Sequence, residues 1–153
     1  MKALSDDLIQ FFHKQSFVIV STIDKAGSPH NSCKGIVKIN KNGQIYLLDL
    51  YNAQTFENLR SNPNIAVTAV DEHKFRGFSL KGKAKLIKKD KLGSHIITDW
   101  EKKIAQRITK RVLKNVAGEK GHRHHPEALL PTPEYMIVMD TEKIVDLTPA
   151  HLK

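Results

Sequence analysis

Cysteine occurs only once in this chain, at Cys33, so no disulfide can form within it. A single unpaired cysteine is typical of proteins from a reducing compartment. Apolar runs are also short, such as residues 17–20, whereas a membrane-spanning helix needs about 20 apolar residues. Asp6 and Asp7 occupy the place of the apolar core that a signal peptide requires. These absences lead us to expect a cytoplasmic protein that does not insert into a membrane.

The sequence also lacks the signature motifs of several common enzyme classes. It has no P-loop for nucleoside triphosphates and no glycine fingerprint for dinucleotides. It has no spacing of Ser, His and Asp, or of two carboxylates, that identifies a hydrolase. Motifs alone therefore assign no catalytic residue.

Acidic residues are the scarcer charge. The 16 Asp and Glu residues are outnumbered by 25 Lys and Arg residues, which gives a net charge of +9. This excess favours an anionic partner, namely a phosphorylated cofactor, nucleic acid or a membrane surface. Much of it lies in residues 81–91 and 102–120. A solvated basic face explains such runs equally well, so both interpretations stay open.

Short apolar and β-branched runs, separated by turn residues, predict a series of antiparallel strands. The strands are expected over residues 17–23, 30–39, 44–50, 64–71, 75–88 and 134–139, with a short final strand at 144–147. Ser5, followed by Asp6 and Asp7, predicts an N-capped amphipathic helix that ends near Gln15. A very short helix is expected over residues 54–62. Six or seven strands with two or three helices indicate a small closed barrel.

In residues 92–116 the apolar residues recur about every four positions, which predicts a long amphipathic helix. Its apolar stripe consists of Ile96, Trp100, Ile104, Ile108, Val112 and Val116. Its other face carries Lys102, Lys103, Arg107, Lys110, Arg111 and Lys114. The capping-box spacing of Thr98 and Glu101 predicts that the helix begins or restarts at residue 98. The basic face is consistent with solvation, with nucleic-acid binding, or with a helix that packs across a dimer interface through Trp100 and Ile104.

Polar side chains gather at two places that a barrel can bring near each other. Asn31 and Ser32 lie on the second strand, and Gln54 and Thr55 open the short helix. Backbone N–H groups at a helix N-terminus attract anions, and neighbouring polar side chains add further hydrogen-bonding groups. The four side chains are therefore a candidate phosphate site. A local explanation is also open, in which Asn31 and Ser32 belong to a turn and either Thr55 or Asn52 caps the helix.

With these residues in view, the chain resembles the split-barrel proteins that bind flavin mononucleotide (FMN), which include pyridoxamine 5′-phosphate oxidase-like and flavin reductase-like proteins. The similarity covers residues 17–87 and, more loosely, 135–140, and it is carried by residues 17–30, 45–50, 58–63 and 78–84. It implies a mainly β fold, a six-stranded antiparallel Greek-key split β-barrel with an N-terminal helix and a long basic helix before the last strand. Residues 1–153 would form one domain, with residues 91–133 as a helical and His-rich loop insertion. The resemblance further implies a homodimer with one FMN per subunit near the dimer interface.

The resemblance also implies which residues hold FMN. Its phosphate maps onto Asn31, Ser32, Gln54 and Thr55. The edge of its isoalloxazine ring maps onto Cys33, Lys34, Asp49, Leu50 and Tyr51. Many family members have a lysine where Thr55 stands, which weakens the phosphate site here or leaves Lys34 to supply the charge.

The implied function is that of a flavoprotein oxidoreductase that transfers electrons or hydride through bound FMN, with NAD(P)H or another small molecule as the donor. Oxidation of pyridoxamine phosphate itself is not expected, because the chain has no arginine-rich C-terminal segment. Coenzyme F420 or haem can replace FMN in this fold. The histidines within residues 122–125 suit the haem alternative, but a solvated loop is the favoured interpretation of them. No metal site is expected, because the adjacent His124 and His125 have no Cys or carboxylate ligand beside them.

Two further interpretations concern single features. A non-enzymatic nucleic-acid binder is the alternative for the basic helix. It is not favoured, because the exposed aromatic residues that bind single strands are missing. Cys33, on a strand, is expected to be a small buried apolar residue.

Overall fold

The computed structural model of the chain describes residues 1–50, 53–119, 121 and 134–152. The strands are β1 (Val18–Ile23), β2 (Pro29–Ile39), β3 (Gln44–Leu48), β4 (Asn64–Asp71), β5 (Arg76–Lys88) and β6 (Tyr135–Asp146). The α-helices are α1 (Asp6–Lys14), α2 (Gln54–Ser61) and α3 (Ser94–Val116), and short 3₁₀ turns occupy Lys89–Lys91 and Ala150–Leu152. None of the described helices is long and apolar enough to cross a membrane.

The six strands close into one antiparallel barrel in the order β1-β2-β3-β6-β5-β4. The ring closes where β4 pairs with β1, for example at Ile19 and Thr68. The chain therefore passes from β3 through α2 to reach the far side of β1. A fourth strand that returns beside the first defines a Greek key. The predicted six-stranded Greek-key barrel is confirmed.

The barrel interior is filled by alternate residues of the strands together with one face of α1. Its most deeply buried side chains include Phe12, Val20, Ile45, Leu47, Val67, Leu80, Ile137 and Met139. The N-terminal cap predicted at Ser5 is present, since its Oγ accepts a hydrogen bond from the Leu8 N–H at 3.3 Å. Burial of such side chains stabilises the fold by about 1.5–3 kcal/mol each relative to exposure.

A second apolar cluster lies outside the barrel, where α3 packs across β2, β3 and β6. The buried residues Ile96, Trp100 and Ile104 contact Val37 and Met136, among others. The apolar stripe of α3 thus packs on its own barrel through its first half. Further along, the stripe is solvent-exposed at Val112, Leu113 and Val116.

Three predicted boundaries were wrong. The helix α3 begins at Ser94, with Gly93 as its N-cap, and the Thr98 hydroxyl donates to the Ser94 carbonyl inside the first turn. Thr98 therefore does not cap a helix. The predicted break between residues 139 and 144 does not exist, because β5 is 13 residues long and pairs with β6 from Tyr135 to Asp146, with one register shift between Lys81 and Gly82. The strand β3 ends at Leu48, before Asp49 and Leu50.

Candidate functional site

A cavity of about 620 Å³ opens between the barrel and the basic face of α3. Its walls are the C-terminal end of α1, the middle of β2, the end of β3 and the second half of α3. Ligand pockets in proteins commonly have volumes of about 300–1,000 Å³. The cavity is therefore of the size that holds a small molecule.

Four of the residues predicted to meet the ring of the cofactor line this cavity, namely Cys33, Lys34, Asp49 and Leu50. Cys33 is exposed, so the expectation of a buried cysteine was wrong. The fifth predicted residue, Tyr51, lies outside the described residues. The histidines of residues 122–125 do so as well. No group of His, Cys, Asp or Glu side chains suited to a metal ion occurs in the described ranges.

Asp49 is the centre of a buried polar network at the barrel end of the cavity. Only 2% of its surface is exposed. The Lys34 ammonium lies 2.6 Å from Asp49 Oδ1, and the Tyr135 hydroxyl donates to Asp49 Oδ2 at 2.5 Å. Burial, followed by the hydrogen bond to Asp49 and the charge of Asp49, raises the pKa of Tyr135. Tyr135 therefore stays a hydrogen-bond donor, and Lys34 stays fixed at the cavity wall.

The residues predicted to hold a phosphate do not meet at a single point. The hydroxyl oxygens of Ser32 and Thr55 lie 2.9 Å apart, so β2 and α2 do bring this pair together. The Gln54 amide, in contrast, donates to Asn58 Oδ1 at 2.7 Å. Asn31 Oδ1 accepts a hydrogen bond from Ser21 at 2.6 Å.

The start of α2 offers backbone donors beside the Ser32–Thr55 pair. Its N-cap is Ala53, whose methyl group cannot accept a hydrogen bond, so the alternative that Thr55 caps the helix was wrong. The other candidate cap, Asn52, lies outside the described residues. Hydroxyls and open helix N–H groups are suitable donors for a phosphate, and Ser32 is only partly buried. No Lys or Arg side chain of the described residues bonds to Ser32, Gln54 or Thr55. The residues thus fit a phosphate through neutral donors.

The sequence-based reasoning missed the opposite wall of the cavity, which α3 supplies. The α3 residues that line it are Lys103, Gln106, Arg107, Lys110, Arg111 and Lys114. His13 and Lys14 line it from the C-terminal end of α1. The spacing of the basic residues on one face of α3 was visible in the sequence. The sequence gives no sign of what that face lies against.

Arg107 fixes α3 against two other elements. Its guanidinium donates to the carbonyl of Ser16, just after α1. It also lies over Gly35 of β2, where a Cβ atom would come within 2.8 Å of Arg107 Nη1. Glycine at position 35 therefore allows this close approach. The contact holds the cavity walls together.

The basic side chains of α3 that line the cavity, here called the basic wall, perturb two titratable groups. Burial and the nearby charges of Arg107 and Lys110 lower the pKa of Lys103. Burial and the charge of Lys103 lower the pKa of His13. Both shifts show that positive charge is crowded and partly desolvated on this side of the cavity.

Comparison with known proteins places the chain among split barrels. A family model described as pyridoxamine 5′-phosphate oxidase matches residues 4–130. No match was found among curated proteins.

Solved structures with the same fold include HupZ from Group A Streptococcus, at 16% identity and a TM-score of 0.65, covering 95% of this chain and 94% of HupZ. HutZ of Vibrio cholerae, described as a heme storage protein, matches at 17% identity and a TM-score of 0.55, covering 95% and 94%. An F420 reductase matches at 11% identity and a TM-score of 0.57, covering 93% and 98%. Likenesses at such low identity show a shared fold.

Proposed function

The chain belongs to the pyridoxamine 5′-phosphate oxidase family, and we propose that it is a flavoprotein that binds FMN and transfers electrons or hydride through it. One observation carries this proposal. Cys33, Lys34, Asp49 and Leu50, which come from two separate parts of the sequence, line a single cavity of about 620 Å³. These are the residues that the family resemblance assigns to the flavin ring.

In this proposal the flavin supplies the electron chemistry, and the protein binds and orients it. Ser32 and Thr55 would hold the phosphate, with Asn31 and Gln54 beside them. Leu50, together with Leu48 in the same wall, would cover the ring and exclude water. The Lys34 ammonium, held by Asp49 at 2.6 Å, would place a fixed positive charge beside the ring.

We also propose that the protein is a homodimer, as the family resemblance implies. An apolar patch on the outer face of β1 and β4 supports this proposal. Phe17, directly before β1, Ile19 of β1 and Val70 of β4 are 59%, 42% and 55% exposed. Ile19 pairs with Thr68, two residues from Val70 on the neighbouring strand. Phe17 also lines the cavity, so a partner on this patch would lie near the cofactor. Light scattering should give twice the 17.3 kDa chain mass, and a monomeric mass at micromolar concentration would reject the dimer.

Two other cofactors remain candidates within the same fold. The name of HutZ refers to heme storage and that of the F420 reductase to F420. The basic wall of the cavity is suited to the carboxylates of haem or to the acidic groups of F420. The phosphate donors at Ser32 and Thr55 favour FMN over haem.

Comparing FMN with riboflavin tests the proposed phosphate contact, because riboflavin lacks the phosphate. Each flavin is titrated into apo-protein while flavin fluorescence is followed. We expect FMN to bind at least about tenfold more tightly than riboflavin, since charge-assisted hydrogen bonds contribute about 1.5–3 kcal/mol each. Ser32→Ala should reduce this preference, whereas Ser61→Ala, at the other end of α2, should leave it unchanged. Equal affinity for the two flavins would contradict the phosphate site.

A further inference from the structure

Positive charge dominates the cavity. Seven Lys and Arg side chains line it, against the two carboxylates of Asp49 and Glu119, among the described residues. Both carboxylates already have lysine partners, since Asp49 binds Lys34 at 2.6 Å and Glu119 binds Lys114 at 3.1 Å. Basic side chains thus outnumber acidic ones around the cavity in the part of the chain that the structure describes.

Three of the lysines that line the cavity have no acidic partner among the described residues. Lys14 stands at the end of α1, and Lys103 and Lys110 lie on α3 across the cavity. None of the three forms an ion pair with any described residue. Burial and the charges of Arg107 and Lys110 lower the pKa of Lys103, which shows that the cations repel one another here.

The shape of this basic wall separates a small ligand from a nucleic acid. Lys103, Lys110 and Arg107 face a concave space of about 620 Å³. By contrast, Lys102 of the same helix is exposed and does not line the cavity. Single-stranded nucleic acid is typically bound along an extended groove with aromatic stacking residues. Several cations that line one concave cavity fit a compact ligand with several negative charges.

We propose that the α3 wall of the cavity, with Lys103 and Lys110 at its centre and Lys14 opposite, binds a small molecule that carries a diphosphate or two phosphate groups. This molecule is a second ligand, separate from the phosphate contact at Ser32 and Thr55. The inference is argued from the described cations that line the cavity and not from the residues assigned to FMN. Within an oxidoreductase, the anion would belong to the molecule that exchanges electrons with the cofactor.

Inorganic pyrophosphate is the probe for this site. Isothermal titration calorimetry of the full chain should show one pyrophosphate per subunit, with and without FMN present. The double variant Lys103→Ala/Lys110→Ala should bind it at least about tenfold more weakly, because two charge-assisted contacts are lost. The control variant Lys91→Ala/Lys102→Ala removes the same charge from exposed positions outside the cavity and should bind it like the wild type. Thermal melting of each variant checks that it is folded.

Several outcomes would overturn the inference. One is the absence of pyrophosphate binding by the wild type at millimolar concentration, and another is an equal loss in both double variants. A third is tighter binding of a single-stranded oligonucleotide than of pyrophosphate, with the two double variants weakening oligonucleotide binding equally. A fourth is a Lys103→Ala/Lys110→Ala variant that loses affinity for FMN but keeps its affinity for riboflavin, because the wall would then bind the phosphate of the cofactor itself.

The proposed function and this inference fail separately. If FMN does not bind but pyrophosphate still binds and requires Lys103 and Lys110, only the flavin proposal is rejected. If FMN binds as expected and pyrophosphate does not, only the second ligand is rejected.

Discussion

Asp49 is a single residue whose burial requires both an ion-pair partner and a hydrogen-bond partner. A buried carboxylate is costly unless it is paired and hydrogen-bonded. Asp49 meets this requirement through the Lys34 ammonium at 2.6 Å and the Tyr135 hydroxyl at 2.5 Å. The network joins β2, the end of β3 and the start of β6 at one point. It therefore has a structural role in addition to any contact with a cofactor.

Removal of the Asp49 carboxylate should be strongly destabilising. Asp49→Ala leaves Lys34 without its buried partner, and the free energy of unfolding should fall by about 3–5 kcal/mol. Asp99→Ala is the matched control, because Asp99 pairs with Lys38 at 2.9 Å on the surface and should cost about 0–1 kcal/mol. Urea unfolding followed by circular dichroism measures both. Similar losses for the two variants would contradict the structural role of Asp49.

His13 reports the charge of the basic wall. The positive charge of Lys103 contributes to its lowered pKa, so Lys103→Met should raise the pKa of His13. The pKa should stay below the ordinary value of 6.5, because burial is the larger cause and remains. NMR titration of the histidine ring protons measures the shift, and Lys102→Met is the control that should leave it unchanged. If the pKa of His13 is the same in Lys103→Met as in the wild type, the charge of Lys103 does not act on His13 and this account of the wall is wrong.

The same lowered pKa of His13 fixes the sign of a pH effect on stability. The unfolded chain takes up a proton on His13 near pH 6.5, whereas the folded chain resists it. The contribution of neutral His13 to the free energy of unfolding is therefore complete above pH 6.5 and is lost as the pH falls through the lowered pKa. In the His13→Asn variant, the free energy of unfolding should therefore depend less on pH below pH 6.5, as urea unfolding at several pH values measures.

The four cavity residues Cys33, Lys34, Asp49 and Leu50 were anticipated through the family resemblance, which assigns the flavin ring to β2 and the end of β3. The structure shows that they line one cavity. Tyr135 was missed because it lies 86 residues away from Asp49, and no local pattern links the two. The pairing of Gln54 with Asn58, rather than with a shared phosphate site, depends on side-chain geometry that sequence spacing does not specify.

At the scale of elements, α3 combines a predictable pattern with an unpredictable position. Its four-residue apolar period gave the helix, and its C-terminal limit at residue 116 was confirmed. The period shows which face is apolar, but not what that face packs against. The structure places the first half of the stripe on Val37, Leu48 and Met136 of the same chain. Trp100 and Ile104 are therefore buried against the barrel of their own subunit.

The two halves of α3 should respond differently to truncation of apolar side chains. Ile104 is 7% exposed and Val116 is 82% exposed. Ile104→Ala should lower the free energy of unfolding by about 2–5 kcal/mol, because it leaves a cavity against the barrel. Val116→Ala should change it by less than about 0.5 kcal/mol. Chemical denaturation measures both, and a large loss at Val116 would mean that its half of the helix is covered in solution.

At the scale of the whole molecule, the order of elements was enough to predict the barrel. The strands, the short helix and the long helix indicated a closed barrel, whereas the Greek key was implied by the family resemblance. The ring order confirms both. The cavity was not predictable, because it exists only where α3 lies across β2 and Arg107 approaches Gly35. The net charge of +9 is explained in part by this arrangement, since seven of its cations line the cavity.

The most direct test of the proposed function is the visible absorbance spectrum of the purified protein during titration with FMN, with haemin and F420 titrated in parallel. We predict a saturable change in the flavin bands at one FMN per subunit, a rise in melting temperature, and weaker responses to haemin and F420. A Leu50→Asp variant, which places a charge in the proposed ring contact, should lose the FMN response while staying folded. Colourless protein whose melting temperature is unaffected by excess FMN would contradict the central claim.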